Sequence, residues 1–419
     1  MRGRERSIYT DSLAHIFPFQ PYRYSPKAGP LQNLVTQPYD KIYPAMQRRY
    51  LDASPNNLVR VILGERKPDD NETENVYTRA TRTMQEWIAN GVWARDAEPG
   101  MFAYFQEFVV PDTGERLVRK SFIALGQVEE YSAGIVFRHE QTLSGPKKDR
   151  MELLKHTHTH FEPIFMLYPD KAGEIDALLD KAASGPPIDE VTDEYGAIHR
   201  IWKVAGGEQI QKLMADKKLL IADGHHRYET AMAFQREHSD LPGAKRMIMA
   251  FVNMYSPGLQ ILATHRLVSG VDATRFPEAA AKDFEVKEIG SLEGLKAAWE
   301  KGGDRSIIGA AIGEKLYLLE HRTLRGALDV KVLHEELLAK ALGISEEAVR
   351  DEKHLRYVRG IDAAVEEVRK GAAQIAFLLK PTSVQQVADT SFSGGVMPQK
   401  STDFYPKLLS GMVMYKLDE

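Results

Sequence analysis

The chain has 419 residues, 43% of them hydrophobic and 27% charged, with 55 Lys and Arg against 59 Asp and Glu and no cysteine. That length exceeds what one hydrophobic core usually organises, so two or three domains are expected. A formal charge of −4 disfavours a general nucleic-acid binder, whose affinity comes largely from neutralising phosphates, and the missing cysteines exclude disulfides, thiolate metal sites and cysteine nucleophiles.

The basic start Met1 to Arg6 precedes no apolar segment of the kind that makes a secretory signal. No stretch approaches the ~20 apolar residues that span a bilayer. A cytoplasmic protein without a membrane partner is expected, and the lack of cysteine fits a reducing cytosol. Prolines at 18, 21 and 38 then favour extended, loop-like chain. Leu58 to Leu63 reads as a buried strand. Val76, Ala80, Thr83, Met84 and Trp87 fall at helical spacing and predict a helix over 73–90, stopped by Asn90-Gly91. Met101 to Val110 and Leu117 to Val128 read as a hairpin around Pro111-Asp112-Thr113-Gly114.

Helices are expected at 149–156 and 172–183, and a loop at Gly185-Pro186-Pro187. Lys218 to Ala222 is a strand entering a turn, and 246–253 and 260–268 are further strands. From about Val271 the texture becomes alternating helix and strand, with helices at 330–342 and 363–370 and a buried strand at 375–379. Pro381-Thr382-Ser383 caps a helix beginning near Val384. Boundaries are expected near residues 135 and 270.

Five polar constellations stand out. In Leu220 to Ala231 an apolar strand meets Asp223-Gly224 and a helix starts at once. Asp223 is a natural N-cap, and Gly224 permits close approach of a ligand to the backbone. The first helical turn then offers N–H groups and a positive dipole end, an anion site. Arg227 adds a fork suited to phosphate, and His225 and His226 add donors; the plain alternative is a helix start whose histidines sit in water. His139-Glu140 precedes Lys147-Lys148-Asp149-Arg150. Here Glu140 could accept a hydroxyl proton, and Lys147, Lys148 or Arg150 could neutralise transferring charge, unless the run is merely a solvated face.

Gly394 to Thr402 superficially resembles a P-loop, but Gln399 stands where the glycine before the lysine is required, so that reading is rejected. Lys400, Ser401 and Thr402 could still present a cation and two hydroxyls to an anion. His156, His158 and His160 have spacing compatible with a transition metal. Their plain alternative is a polar helix end where protonated histidines meet the negative dipole. Thr264-His265-Arg266 is a basic pair on a strand, read either as a ligand contact or as an exposed edge.

These residues resemble a known set. Asp223 to Arg227 is similar to the turn of the free serine kinases, members of the ParB/sulfiredoxin superfamily. Arg138-His139-Glu140-Gln141 is similar to the segment that supplies their catalytic glutamate. Ile375 to Thr382 and Met397 to Thr402 are similar to their C-terminal strand and Pro-x-Lys-(Ser/Thr)-Thr pattern. Nearly the whole chain also resembles a large bacterial and archaeal family catalogued as a domain of unknown function, number one thousand and fifteen. Its hallmarks here are Gln37-Pro38-Tyr39-Asp40, His139-Glu140, Ala222 to Arg227, Thr264-His265-Arg266 and Lys400-Ser401-Thr402. The N-terminal region has no counterpart in the smaller archaeal kinases, and the gap from His139 to Asp223 is longer.

The resemblance implies an α/β (α+β) fold. A ParB/sulfiredoxin-like catalytic core at 136–270 would sit between an N-terminal α/β region, 1–135, and a C-terminal α/β domain, 271–419. It implies a kinase that moves a phosphoryl group from ATP or ADP, with Mg²⁺, to the hydroxyl of free L-serine, giving O-phosphoserine. Glu140 and His139 would be catalytic, with Glu140 the base. Asp223, Gly224, His225, His226, Arg227, Lys147, Lys400, Ser401 and Thr402 would hold phosphate or nucleotide, and His265 and Arg266 the substrate. The alternatives are a metal-dependent hydrolase built on His156, His158 and His160, and a ParB-like nucleotide-gated binding module.

Overall fold

The structure, a computed structural model, describes residues 14–111, 113–140, 142 and 144–418, the side chains of 144–146 excepted. The basic start Met1 to Arg6, Asp112 of the hairpin turn and Gln141 lie outside the described residues.

Two sheets organise a mixed α/β fold. The strands of the first, in chain order, are β1 Ile16–Phe17, β2 Met101–Val109, β3 Arg116–Gln127, β4 Val136–Phe137, β5 Ile164–Tyr168, β6 Asp189–Thr192, β7 Ile198–Val204, β8 Leu219–Asp223 and β9 Arg246–Asn253. Their spatial order is β4-β8-β5-β9-β3-β2-β7-β6, with β1 added beside β3. The second sheet holds β10 Thr264–Val268, β11 Phe284–Ile289, β12 Arg305–Ile312, β13 Lys315–Arg325, β14 Leu355–Arg359 and β15 Ile375–Leu378, in the order β11-β13-β12-β15-β10-β14. No helix among the described residues is long and apolar enough to cross a membrane.

The expected hairpin is β2–β3, in register Phe102↔Ile123. The expected helix over 73–90 is Val76–Ala89; Asn75 accepts from the N–H groups of Tyr77 and Thr78, and the Thr78 hydroxyl accepts from the N–H of Asn75. This reciprocal capping satisfies donors that the first turn leaves without partners. Ser383 and Gln386 cap the helix Val384–Phe392 in the same way.

Four expectations need correction. Leu58 to Leu63 contains a short helix, Val59–Ile62, not a strand. The Asn57 carboxamide accepts from Val59 N–H at 2.9 Å and starts that turn; a short run that is apolar on every side carries no period to separate helix from strand. The segment 260–268 is two strands, because Gln260–Leu262 pairs with Asp403–Tyr405 and Thr264–Val268 enters the second sheet. The helix expected at 330–342 begins as α over Asp329–Val332 and continues as π over Leu333–Ala341. The first sheet draws β1 to β3 from before residue 135 and β4 to β9 from after it, so cross-strand hydrogen bonding runs through that expected boundary.

Both faces of the first sheet are buried, in two hydrophobic clusters. Phe122 and Phe251, paired across β3 and β9, stack at 4.8 Å between centroids and are fully inaccessible. The helix His225–Glu237 follows β8 directly and buries Tyr228, Ala231 and Phe234. Replacing Phe251 by alanine should therefore lower the unfolding free energy by about 3–5 kcal/mol, the usual cost of an aromatic deletion in a packed core. Urea denaturation with an unchanged m-value would register it; a loss under about 1 kcal/mol would show that the cavity collapses.

Candidate active site

Two strand ends and a C-terminal loop build the site. β4 and β8 pair in parallel, Leu219 with Val136 and Leu220 with Phe137, so the chain leaving each strand emerges on the same side. His139-Glu140 thereby comes to lie near Asp223-Gly224. Met397 N–H donates to the His139 carbonyl at 2.7 Å, an isolated parallel bridge that brings 397–402 alongside.

The His139 side chain fastens all three segments. Its Nδ1 is 2.9 Å from the Ile221 carbonyl and its Nε2 is 2.8 Å from Thr402 Oγ1. A carbonyl only accepts, so Nδ1 carries the proton; Nε2 then accepts, and the Thr402 hydroxyl must donate to it. Burial pushes the imidazole down to about 4, so it stays neutral and keeps this tautomer at neutral pH. His139 therefore holds the wall behind the cleft, with both ring nitrogens engaged. His225 meets it edge to face at 4.6 Å, and burial holds His225 well below its ordinary range.

In front of this wall is a cleft of about 660 Å³, its opening to solvent included, lined by Tyr39, Asp40, Lys41, Glu140, Thr142, Ala222 to Arg227, Lys400, Thr402 and Lys407. Its lining carries four permanent cations, Lys41, Arg227, Lys400 and Lys407, against three carboxylates, Asp40, Glu140 and Asp223. Burial raises the Asp223 carboxyl, but the charges of Lys407, Lys41 and Arg227 outweigh it and hold Asp223 well below the carboxylate range. Glu140 goes the other way: burial raises it, Asp223 raises it further, and Lys400 only partly opposes them. Among the described residues the Glu140 carboxylate has no hydrogen-bond or ion-pair partner, and neither does the Lys400 ammonium.

Asp223 is not the N-cap expected of it. It ends β8, its Oδ1 accepts from Gly224 N–H at 2.9 Å, and its Oδ2 pairs with Lys407 Nζ at 3.0 Å. Gly224 takes the cap position with φ +96°, where a Cβ would lie 2.8 Å from Ile164 and 3.0 Å from Arg227 Nη2. The helix starts at His225, so its first N–H groups have no carbonyl one turn back and can meet an anion. His226, beside Asp40 and Glu229, has its imidazole lowered by burial.

Arg227 is neither solvated nor a free fork. Its Nη1 donates to the Pro163 carbonyl at 2.8 Å, and its Nε pairs with Glu162 at 3.3 Å. Only Nη2 is left for a ligand. Glu162 is itself held by Tyr39 N–H and the Ser410 hydroxyl. Lys147 is committed as well, donating at 3.0 Å to Glu229, which also receives Arg138 and Thr142; this carboxylate ties the 138–147 segment to the central helix.

Several expected residues lie elsewhere. The Ser401 hydroxyl donates to the Pro398 carbonyl, and the Thr402 proton goes to His139, so neither hydroxyl proton is offered to an anion. His265 is buried, accepting from Leu379 N–H, and Arg266 donates to the carbonyls of Thr264, Gln399 and Lys400. Neither lines the cleft; Arg266 supports the Lys400 loop from behind. His156 bonds to the Glu152 carbonyl, His158 to Asp418, and the His160 ring stacks with Tyr415. The three thus have different partners, and among the described residues no group of three His, Asp or Glu is placed to hold a metal ion.

Sequence reasoning missed Lys407, a buried ammonium between Asp223 at 3.0 Å and Asp403 at 3.4 Å. Nothing marks it in the sequence, since it stands alone in an apolar stretch. Tyr39 and Asp40 carried a family hallmark but no assigned role, Lys41 carried neither, and all three line the cleft.

A family model described as "Protein of unknown function (DUF1015)" matches residues 16–342, and the chain belongs to that family. No curated protein matches the chain. Among solved structures, a mutant free serine kinase in complex with ADP is similar at 15% identity, covering 68% of this chain and 88% of that one with a TM-score of 0.39. A conserved hypothetical protein from Pyrococcus furiosus is similar at 17% identity over 68% and 93%, TM-score 0.37. SbnI from Staphylococcus aureus, truncated at its C-terminus, is similar at 12% identity over 70% and 86%, TM-score 0.34.

Lys407→Met should cost about 3–5 kcal/mol in urea unfolding, because it leaves two carboxylates beside an apolar side chain without their shared cation. A loss below about 1 kcal/mol would mean that water already screens the pair. Glu140→Gln should act in the opposite direction. The raised Glu140 carboxyl gives stability that is fully present below the ordinary glutamate range and lost as pH rises through its folded value. The variant's melting temperature should match wild type near about pH 4 and exceed it near about pH 8; a constant offset at both would refute the assignment.

Proposed function

We propose that this DUF1015 protein is a phosphotransferase that moves a phosphoryl group from a nucleotide, ATP or ADP, to the hydroxyl of free L-serine, giving O-phosphoserine. The observation that carries this reading is the Glu140 carboxylate, raised by burial and without a partner among the described residues, in one cleft with Lys41, Lys400 and a helix N-terminus. A general base needs open lone pairs and a proton affinity closer to neutrality than an exposed glutamate has. Phosphoryl transfer needs that base beside a positive cradle, since the rest of the catalysis is positioning and charge stabilisation. Glu140, Asp223 to Arg227, and Lys400 with Thr402 come from segments whose sequences resemble the free serine kinases, and all of them line this cleft. A ParB/sulfiredoxin-like core is part of the same proposal.

In this reading the first-turn N–H groups, Lys41, Lys400 and Arg227 Nη2 hold the donor phosphates. Glu140 accepts the serine hydroxyl proton as its oxygen bonds to phosphorus, and the bond from phosphorus to the nucleotide oxygen breaks. Thr402, whose hydroxyl donates its hydrogen bond to His139, turns lone pairs to the cleft and suits the substrate's ammonium. Asp223, fixed by Lys407, keeps the turn in place. Mg²⁺ usually binds through one or two carboxylates together with the substrate phosphates; among the described residues no group of three His, Asp or Glu forms a protein cage for it, so it would enter with the donor phosphates.

The test is incubation with L-serine and Mg²⁺ plus ATP, ADP or pyrophosphate in separate reactions, followed by ³¹P NMR. O-phosphoserine is expected with a nucleotide, and no product with any donor overturns the proposal. Glu140→Gln should reduce turnover by about 10²–10⁴-fold with donor affinity nearly unchanged. Wild-type turnover in that variant would move the base to another residue.

A further inference from the structure

The cleft is lined mainly by charged and hydroxyl groups, and a nucleotide also carries a planar base. Of the rings that line it, Tyr39 lies under the Arg150 guanidinium, 4.0 Å from the ring centroid, and His225 packs edge to face on His139. His226 stands in the first helical turn, among the groups that would hold phosphate. A base tethered to phosphates in the cleft therefore has to find its planes at the mouth. Tyr43 follows Lys41 of the cleft by two residues and precedes the helix Pro44–Ala53. Tyr195 lies in the turn between β6 and β7, which is fastened to the 37–50 segment. The Gln37 carboxamide donates to Asp193 and to Glu194, each at 3.3 Å; Arg49 pairs with Glu194 at 3.2 Å, and the Tyr50 hydroxyl donates to it. The Tyr195 hydroxyl is thereby within electrostatic reach of Tyr43 and of Arg359. Arg359 donates to Asp403 at 2.7 Å, and Asp403 pairs at 3.4 Å with Lys407, which lines the cleft. Tyr43 and Tyr195 are 56% and 53% exposed.

Single exposed apolar side chains are ordinary on a protein surface. Two exposed rings and a guanidinium grouped beside a positive cleft are the parts of a stacking site, because every nucleobase has a π-face and both tyrosine and arginine stack on it. We propose that Tyr43, Tyr195 and Arg359 form the subsite for the base of the nucleotide donor. The inference rests on the proposed function in one respect: the donor's phosphates must lie in the cleft. The N-terminal region then supplies Lys41 to the phosphates and Tyr43 to the base.

Calorimetric titration of ADP and of pyrophosphate, each with Mg²⁺, separates base from phosphate. ADP affinity should fall at least about fivefold in Tyr43→Ala and in Tyr195→Ala, the loss of one stacking contact, with pyrophosphate affinity unchanged. Tyr43→Phe and Tyr195→Phe keep the ring and should bind ADP as wild type does. Both side chains are more than half exposed, and thermal melts establish that the variants fold. Equal ADP affinity in wild type and both alanine variants overturns the proposal. An equal fall for pyrophosphate overturns it too, since the rim would then act on the phosphates. If the wild-type protein binds neither ligand, the phosphate reading of the cleft fails and the base subsite fails with it. ADP binding that depends on both rings, without formation of O-phosphoserine, would support the subsite and overturn the serine kinase reading alone.

Discussion

The candidate site depends on one neutral imidazole. His139 donates through Nδ1 to Ile221 and accepts through Nε2 from Thr402, joining residues 82 and 263 positions away. Burial keeps it uncharged, so both bonds persist at neutral pH. Without it the turn after β8, the Glu140 segment and the C-terminal loop would lose a side chain that bonds to both of the other segments. The same tautomer decides which way the Thr402 proton points, and so whether that oxygen can donate or accept at the cleft surface. Wall structure and surface chemistry are thus set by one side chain.

Electrostatics then divides the two principal carboxylates. Asp223 and Glu140 line the same cleft, and each is desolvated. Lys407 stands 3.0 Å from Asp223 and outweighs burial there. Glu140 has no such partner, and burial prevails. Environments that push two neighbouring carboxyls apart give them different chemical capacities: Asp223 is a fixed anion that organises the turn, and Glu140 is the carboxyl that burial shifts upward. Among the described residues Glu140 stays unpaired, which costs stability; under the proposed transfer that is the cost of an available base.

The rest of the site's order is carried by three groups that do not line the cleft. Glu229 gathers Arg138, Thr142 and Lys147; Glu162 gathers Tyr39, Ser410 and Arg227; Arg266 gathers three carbonyls. Each is a charged residue with several partners, which restricts a loop more than a single pair can. Three residues that look from the sequence like phosphate or substrate contacts, Lys147, Arg227 and Arg266, are engaged in this scaffolding. A cation in a motif cannot be divided between ligand and scaffold until its neighbours are known.

By itself the sequence determined the local features: the strand-turn-helix at 219–237, the capped helices, the β2–β3 hairpin and the identity of the segments around Glu140, Asp223 and Lys400. These are written in period, caps and glycine, all of which act over a few residues. It could not separate helix from strand at Leu58 to Leu63, where every side is apolar, nor show that 260–268 leaves one sheet for another at Ala263. Nor could it reveal Lys407, because a lone lysine acquires meaning only from the two aspartates that folding places beside it. The N-cap expected of Asp223 failed for the same reason: Lys407 and Gly224 N–H compete for its oxygens, and the competition exists only in three dimensions. Tertiary structure alone decided which polar groups face the cleft and which face each other, since that depends on the parallel pairing of β4 with β8, two strands separated by more than eighty residues.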